Sequence, residues 1–261
     1  MSAMRKLLQK DLNRERKIRQ GRIRMFKILS EKFTSKDNNV HAQKFLAMDG
    51  DTYFYNRYLE KKINPYLRGR VLECCSAVST NYLKYPKNTI SVDINHQMLK
   101  HIVNDNIPVA ADIQRLPFTS DTFDSILTMH GIHHVGEDKV HYLDYIKPVI
   151  IESHRILKKG GNLIIVEGGV SHFVHLLIYA MHFIIRSISR DVYHKYDFPL
   201  LYSKRVMDKF FPDDMFSLIQ KEKIRLPRSL YFRCEPMFCF KFPFPLILLP
   251  QRPVIYVLQK K

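Results

Sequence analysis

Between Val71 and Glu167 the chain alternates short, nearly unbroken apolar runs with stretches long enough to coil into helices, and this alternation restricts the fold more than any other feature. The runs predict strands at 71–73, 89–93, 107–111, 123–129 and 162–167, with the clearest helices between them at 95–104 and 140–157. Strands that are apolar on both faces and joined by crossover-length segments build a parallel sheet with helices on either side. Two later runs, at about 219–226 and 253–259, extend the expectation to an α/β, doubly wound, Rossmann-like, seven-stranded and mostly parallel sheet.

The 261 residues suffice for one large core with appendages. The expected division is a basic helical N-terminal arm and cap over 1–64, followed by the sheet domain over 65–261, with 170–250 supplying substrate-side helices and loops. Residues 4–33 read as helix, with Leu8 and Leu12 one turn apart, Met25, Leu29 and Phe33 at four-residue spacing, and a polar stretch between. The net charge of +17 is unevenly placed: 12 Lys/Arg against 3 Asp/Glu in residues 1–36, 15 against 15 in 37–170, and 15 against 7 in 171–261. A neutral centre between cationic flanks suits a protein whose ends meet an anionic surface, although scattered lysines also serve as a solvated exterior.

Four cysteines, two adjacent (Cys74, Cys75) and two five apart (Cys234, Cys239), form neither a disulfide framework nor a zinc-ribbon spacing, so a reduced, cytoplasmic setting is expected. No window holds 18 uninterrupted apolar residues, and the first residues lack the apolar centre of a signal peptide. Asp11, Glu15 and the scarcity of serine argue against a mitochondrial presequence.

In a doubly wound sheet the ligand lies beyond the carboxyl ends of the strands, with an acid about 20 residues past the first turn reaching ribose hydroxyls. Glu73 ends the first strand, Asp93 the second, Asp112 follows the third, and His130-Gly131 follows the fourth. The segments VLECCSAVS (71–79), SVDINHQML (91–99), AADIQRLPFTSDTFDSILTMHGIHHV (110–135) and SHRILKKGGNLIIVE (153–167) together resemble the class I S-adenosylmethionine-dependent methyltransferases, in particular the type 11, ubiquinone/menaquinone-methyltransferase-like branch.

The resemblance implies S-adenosyl-L-methionine as cofactor and a role for each matching position. Asp93 would accept from both ribose hydroxyls and Asp112 from the adenine amino group, with the Ile113 backbone N–H meeting a ring nitrogen. Ile94 and Met98 would sandwich the adenine, and Met129 would line the site from the fourth strand. Glu73 and the loop behind it, with Cys75 and Ala77, would approach the methionine portion, whose carboxylate Arg57 would hold. The chain departs from the resemblance in this loop, where Cys75, Ala77 and Ser79 occupy positions at which glycine is expected. Each non-glycine residue held at positive φ costs on the order of 1 kcal/mol.

Methyl transfer from a sulfonium is an in-line displacement, so alignment in a dry site supplies much of the acceleration. If the acceptor must lose a proton, His130 and His134, one turn apart if their segment is helical, are the candidate bases, although histidines here also serve simply to fix the loop. A metal site from His130, His133, His134, Glu137 and Asp138 shows no recognised ligand spacing, so none is expected. TMHG (128–131) differs from the N/D-P-P-Y/F tetrad of amino-methylating DNA enzymes, and Cys74 and Cys75 sit on the wrong strand for cytosine C5 chemistry. The apolar helix at 171–187 and the Pro/Phe stretch 236–250 either cover the sheet or favour a small-molecule, polyprenyl or other amphiphilic acceptor reached from a membrane surface. A catalytically silent protein of this fold acting through partners, and an RNA methyltransferase using the basic arms, remain alternatives.

Overall fold

The computed structural model describes residues 53–77, 79, 83–102, 104–135, 139–188, 200–224 and 253–261. The expected helix at 4–33, Glu137 and Asp138, and the Pro/Phe stretch 236–250 lie outside these residues. Helix α1 (Tyr53–Ile63) leads through a 3-10 turn to β1 (Val71–Cys74), β2 (Ile90–Asp93), the short helix α2 (His96–Leu99), β3 (Ile107–Ala110) and β4 (Phe123–Met129). Then come α3 (Tyr142–Ile156), β5 (Leu157–Glu167), β6 (Gly169–Val170), α4 (His172–Ile188), β7 (Tyr202–Ser203), α5 (Lys204–Met207), β8 (Phe216–Lys223) and β9 (Val254–Lys260).

Seven strands form one sheet in the order β3-β2-β1-β4-β5-β9-β8, while β6 and β7 pair separately. The first five are mutually parallel, β9 runs antiparallel to β5, and β8, antiparallel to β9, returns to the common direction, which is the mostly parallel, doubly wound arrangement expected. The strand order reverses between β1 and β4, so the crevice beyond their carboxyl ends is the natural ligand position. Both faces are covered because the strands carry apolar side chains on both. Leu72, Ile126, Ile165 and Tyr256 pack with Ile146, Val149 and Ile150 of α3 on one face. Val71, Leu127, Ile164 and Val257 pack with Leu59 and Ile63 of α1 on the other. Helix α1, with Tyr58 and Tyr66 packed at the edge of this cluster, is therefore part of the covering layer of the sheet.

Three expectations are corrected. The helix expected over 95–104 is a single turn, His96–Leu99, whose N-terminus Asn95 caps by accepting from the Gln97 and Met98 amides. Its continuation yields because the Asn104 side chain donates to Ser79 Oγ and the Asn106 side chain to Ser91 Oγ, drawing the chain toward the sheet. The fifth strand starts at Leu157, directly at the end of α3, rather than at 162. The strand expected over 219–226 runs from Phe216 to Lys223 with a register shift between Leu218 and Gln220, because its pairing with β9 sets its limits.

Candidate functional site

The loop leaving β1 carries the central local result: Cys75 (φ 53°), Ala77 (φ 47°) and Ser79 (φ 61°) all adopt left-handed backbone. These are the three positions where the sequence departs from glycine, and the loop keeps the glycine-type conformation regardless. Hydrogen bonds hold it there. The Ala77 amide donates to Asp93 Oδ2 at 2.9 Å, the Asn95 amide to Asp93 Oδ1 at 2.8 Å, and the Ser76 amide to the Val92 carbonyl at 3.1 Å. Loop and β2 tip are thus one unit, with the Asp93 carboxylate at its centre. Burial pushes the Asp93 carboxyl up, against the pull of the Asn95, Ala77 and Ile94 amides.

Glu73 faces the interior instead of the crevice. Its carboxylate accepts from Ser79 Oγ, Ser91 Oγ and Tyr85 Oη, each at 2.6 Å, and from Asn106 Nδ2 at 3.3 Å. Burial raises its pKa and these four donors oppose the rise. It is a clamp that joins β1, β2 and the loop, and the contact to a methionine group implied by the resemblance is replaced by this structural one. Ser79 points into the same clamp, so its hydroxyl does not obstruct the crevice.

Asp112 follows β3, next to β2 in the sheet, and its Oδ1 accepts from the Gln114 amide at 2.9 Å. The Ala111 amide donates to the Asp93 carbonyl, so the tips bearing the two acids are joined directly. Ile94 is half-buried beside Asp93, while Met98 is buried against Ala77. The Ile113 side chain belongs to the core on the α3 face, and Met129 packs against the core on the α1 face. Arg57 is exposed on α1.

The loop after β4 meets the loop after β1. At Gly131 a Cβ would come within 2.2 Å of Cys75 Cβ and 2.7 Å of its Sγ, so only glycine lets the two tips approach this closely. The Cys75 thiol lies there, with burial and then the negative charge of Asp93 driving its pKa well up and keeping it protonated. We expect Cys75→Gly to relieve the left-handed strain and open this contact, raising affinity for an S-adenosylmethionine-type ligand by roughly tenfold in calorimetric titration. Ser79→Gly removes a Glu73 donor with the strain, so it should bring no such gain.

His130 also has positive φ (51°), and its amide donates to the Val166 carbonyl. Burial, aided by His133 and opposed by Glu167, holds its pKa below the ordinary histidine value. His130 and His134 are not one helical turn apart, because the helical segment is a 3-10 turn over Ile132–His134 that begins after His130. His134 is exposed, its ring tilted by 44° against that of His133 with centroids 4.0 Å apart. The inward-facing histidine is His133, whose Nδ1 lies 2.6 Å from Glu167 Oε1. The Gly168 amide donates to Glu167 Oε1 at 2.8 Å and the Ile132 amide to Oε2 at 3.1 Å. Burial works to raise the Glu167 carboxyl, but His133 and these donors prevail and hold it at about 2.

Glu167 and His133 were missed as site residues by sequence reasoning, although an acid closing an otherwise apolar strand was a readable signal. Tyr202, also missed, is fully buried among Tyr142, His175 and Phe210, and its hydroxyl has no hydrogen-bond partner among the described residues. Burial and then the Glu167 charge push its pKa well up, so the hydroxyl stays protonated as a donor. Among the described residues no cluster of three or more His, Cys, Asp or Glu suits a metal ion. Two surface clefts, around Arg68, Asp124 and Lys158 and around Arg70, Lys87 and Ile107, lie at the amino ends of the strands, away from the acids.

Residues 72–165 match the family described as a methyltransferase domain. An uncharacterized protein of Methanocaldococcus jannaschii is 35% identical over 97 residues, a match spanning 37% of this chain and 39% of that protein. Among solved structures, a geranyl diphosphate C-methyltransferase from Streptomyces coelicolor, in complex with Mg2+, geranyl diphosphate and S-adenosyl-L-homocysteine, superposes with a TM-score of 0.55 at 8% identity, covering 78% of each chain. A SAM-dependent methyltransferase from Methanosarcina mazei superposes at 0.51 and 14% identity, covering 77% of this chain and 96% of its own. The YcgJ protein from Bacillus subtilis gives 0.51 at 15% identity, covering 80% and 98%. These structural likenesses establish the shared Rossmann-like fold.

Proposed function

We propose that this chain, with its methyltransferase-domain match over 72–165, is an S-adenosylmethionine-dependent methyltransferase acting on a small-molecule or lipid-like acceptor. The observation that carries the reading is the left-handed backbone at 75, 77 and 79, locked to Asp93 through the Ala77 amide. A loop serving only as a connection gains nothing from three strained residues in five, whereas a nucleoside site needs backbone that approaches its ligand closely. The residues present fit the cofactor: Asp93 and Asp112 stand on adjacent strand tips as acceptors, half-buried Ile94 follows Asp93, Met98 packs against Ala77 of the loop, and the Ser79 side chain is turned inward.

Bound there, S-adenosylmethionine supplies an electrophilic methyl group on a sulfonium. Asp93 would hold the ribose hydroxyls and Asp112 the adenine amino group, and the left-handed backbone of the β1 loop would approach the reacting end. His130, kept neutral by burial, would take the acceptor's proton where one must leave. The Glu167-His133 pair anchors the turn that follows His130, and Tyr202 offers a buried donor on the acceptor side. Because the His130 pKa lies below its ordinary 6.5, the basic form persists as pH falls through that value. With an acceptor that loses a proton, kcat/KM is expected to stay level from pH 8 to 6.5 and decline only below; a decline beginning above 7 would remove His130 as the base.

Cys75, packed at Gly131, supports a second reading in which the fold binds partners and no cofactor. Calorimetric titration of the full chain with S-adenosylhomocysteine separates the two. Saturable binding supports the enzyme, and absence of heat to millimolar ligand supports the silent protein. Mass spectrometry of what co-purifies with the chain then identifies the acceptor class.

A further inference from the structure

Helix α4 presents an apolar face to solvent. Phe173 is 70% exposed, Leu176 50%, Leu177 54%, Phe183 55%, Ile184 55% and Ile188 79%, while Val174, His175 and His182 are buried on the opposite side. Large side chains recurring at three- and four-residue intervals over 17 residues, a length of about 25 Å, make a continuous stripe rather than scattered surface residues. A soluble exterior normally avoids such a stripe, since each exposed aliphatic or aromatic group orders water that burial would release. The stripe cannot turn into the core, because His175 is tied to the Leu201 carbonyl at 2.8 Å and the α4 amino end is bound through His172 to Ser203 Oγ at 3.1 Å.

The charge around the stripe indicates its occupant. Ser203 is followed at once by α5, where Arg205 is exposed, and Lys209 is exposed just beyond, so basic groups lie beside the amino end of α4. The whole chain carries +17, and residues 171–261 hold 15 Lys/Arg against 7 Asp/Glu. An apolar helical face with cations near its amino end, in a basic part of the chain, matches an anionic bilayer surface, which accepts the side chains at the acyl boundary and the cations among its headgroups. Insertion across the bilayer is a different matter, since among the described residues no helix is long and apolar enough to cross a membrane.

We propose that α4 docks this protein in the plane of an anionic lipid membrane through Phe173, Leu176, Leu177, Phe183, Ile184 and Ile188. His175 and Tyr179 on the inner side of the same helix touch Tyr142, which touches Tyr202, so the docked face backs directly onto the packed aromatic cluster around Tyr202. A membrane-borne amphiphile would thus meet the side of the molecule where the acceptor is placed. That consequence rests on the methyltransferase reading; the docking itself does not.

The test is co-sedimentation of the full chain with vesicles of phosphatidylcholine alone and with one third phosphatidylserine, at low and high salt, for the wild type and for Leu177→Ser/Ile184→Ser. Both substituted side chains are more than half exposed, so thermal unfolding should stay close to wild type and verify the fold. The proposal expects binding to the anionic vesicles that weakens with salt and falls at least about tenfold in the double variant. It is overturned if neither vesicle is bound, or if the variant binds as well as the wild type. It is equally overturned if the substitutions only turn a dimer into a monomer with no lipid binding, which would assign the face to a second copy of the chain. Because the readout is sedimentation, its failure leaves cofactor binding and methyl transfer untouched.

Discussion

Asp93→Ala is expected to weaken S-adenosylhomocysteine binding at least a hundredfold and to abolish methyl transfer. Two losses combine. The ribose loses a charged acceptor, and hydrogen bonds to a charged group contribute about 1.5 to 3 kcal/mol each. The Ala77 and Asn95 amides lose the carboxylate that holds the loop in its left-handed conformation. Asp93→Asn keeps one acceptor oxygen but presents an NH2 where the second amide now finds an oxygen, so it should fall between, with a loss of about ten- to thirtyfold. Asp112→Ala removes a single turn bond and should leave the loop unchanged while reducing affinity more modestly. Equal affinity of wild type and Asp93→Ala, measured by calorimetry on folded protein, would end the nucleoside-binding account.

Glu167→Ala should destabilise the fold by about 3 to 5 kcal/mol, the usual consequence of stripping one partner from a buried pair. The variant strands His133 and the Ile132 and Gly168 amides without their acceptor. At this chain length the melting temperature should fall by roughly 10 °C. His133→Leu in the same background removes the second polar group and should recover part of the loss, so a double-mutant cycle reads the coupling. Acid provides an independent check. The Glu167 carboxyl titrates near 4.5 when unfolded and at about 2 when folded, so its contribution is complete above about pH 4.5 and is lost as pH falls toward 2. The Glu167→Ala variant should lose less stability than the wild type across that acid window; parallel curves would show that the pair contributes nothing measurable.

These expectations rest on information of two kinds. Apolar runs located β1, β2 and β4 closely because a strand buried on both faces must be apolar throughout, and β4 coincides with its expected limits at Phe123 and Met129. Asp93 and Asp112 could be placed at strand ends because each closes or follows an apolar run, and the sheet sets those two ends side by side. The histidines were legible as a group but not individually. His130, His133 and His134 are chemically the same in sequence, and only the 3-10 turn after a left-handed residue decides that His133 turns inward to Glu167 while His134 stays exposed. Glu73 misled for a related reason: it stands one residue before the end of β1, but Ser79, Tyr85, Ser91 and Asn106, the last of them 33 residues along the chain, converge on it only after folding.

The same division holds for the first loop. Side-chain periodicity and strand-end chemistry are local properties, so fold class, strand positions and the pair of acids were readable from residue order. Whether Cys75, Ala77 and Ser79 could stand in for glycine was not, because positive φ is a local penalty that can be offset only from elsewhere. The amide bonds to Asp93, the Glu73 clamp and the absence of a side chain at Gly131 come from three separate segments. Their meeting is a product of the sheet, which brings distant strand tips within hydrogen-bonding distance. The exposed stripe on α4 follows the same rule: its amphipathic period is written in the sequence, but which face turns to solvent was settled by the bonds of His172 to Ser203 and of His175 to Leu201.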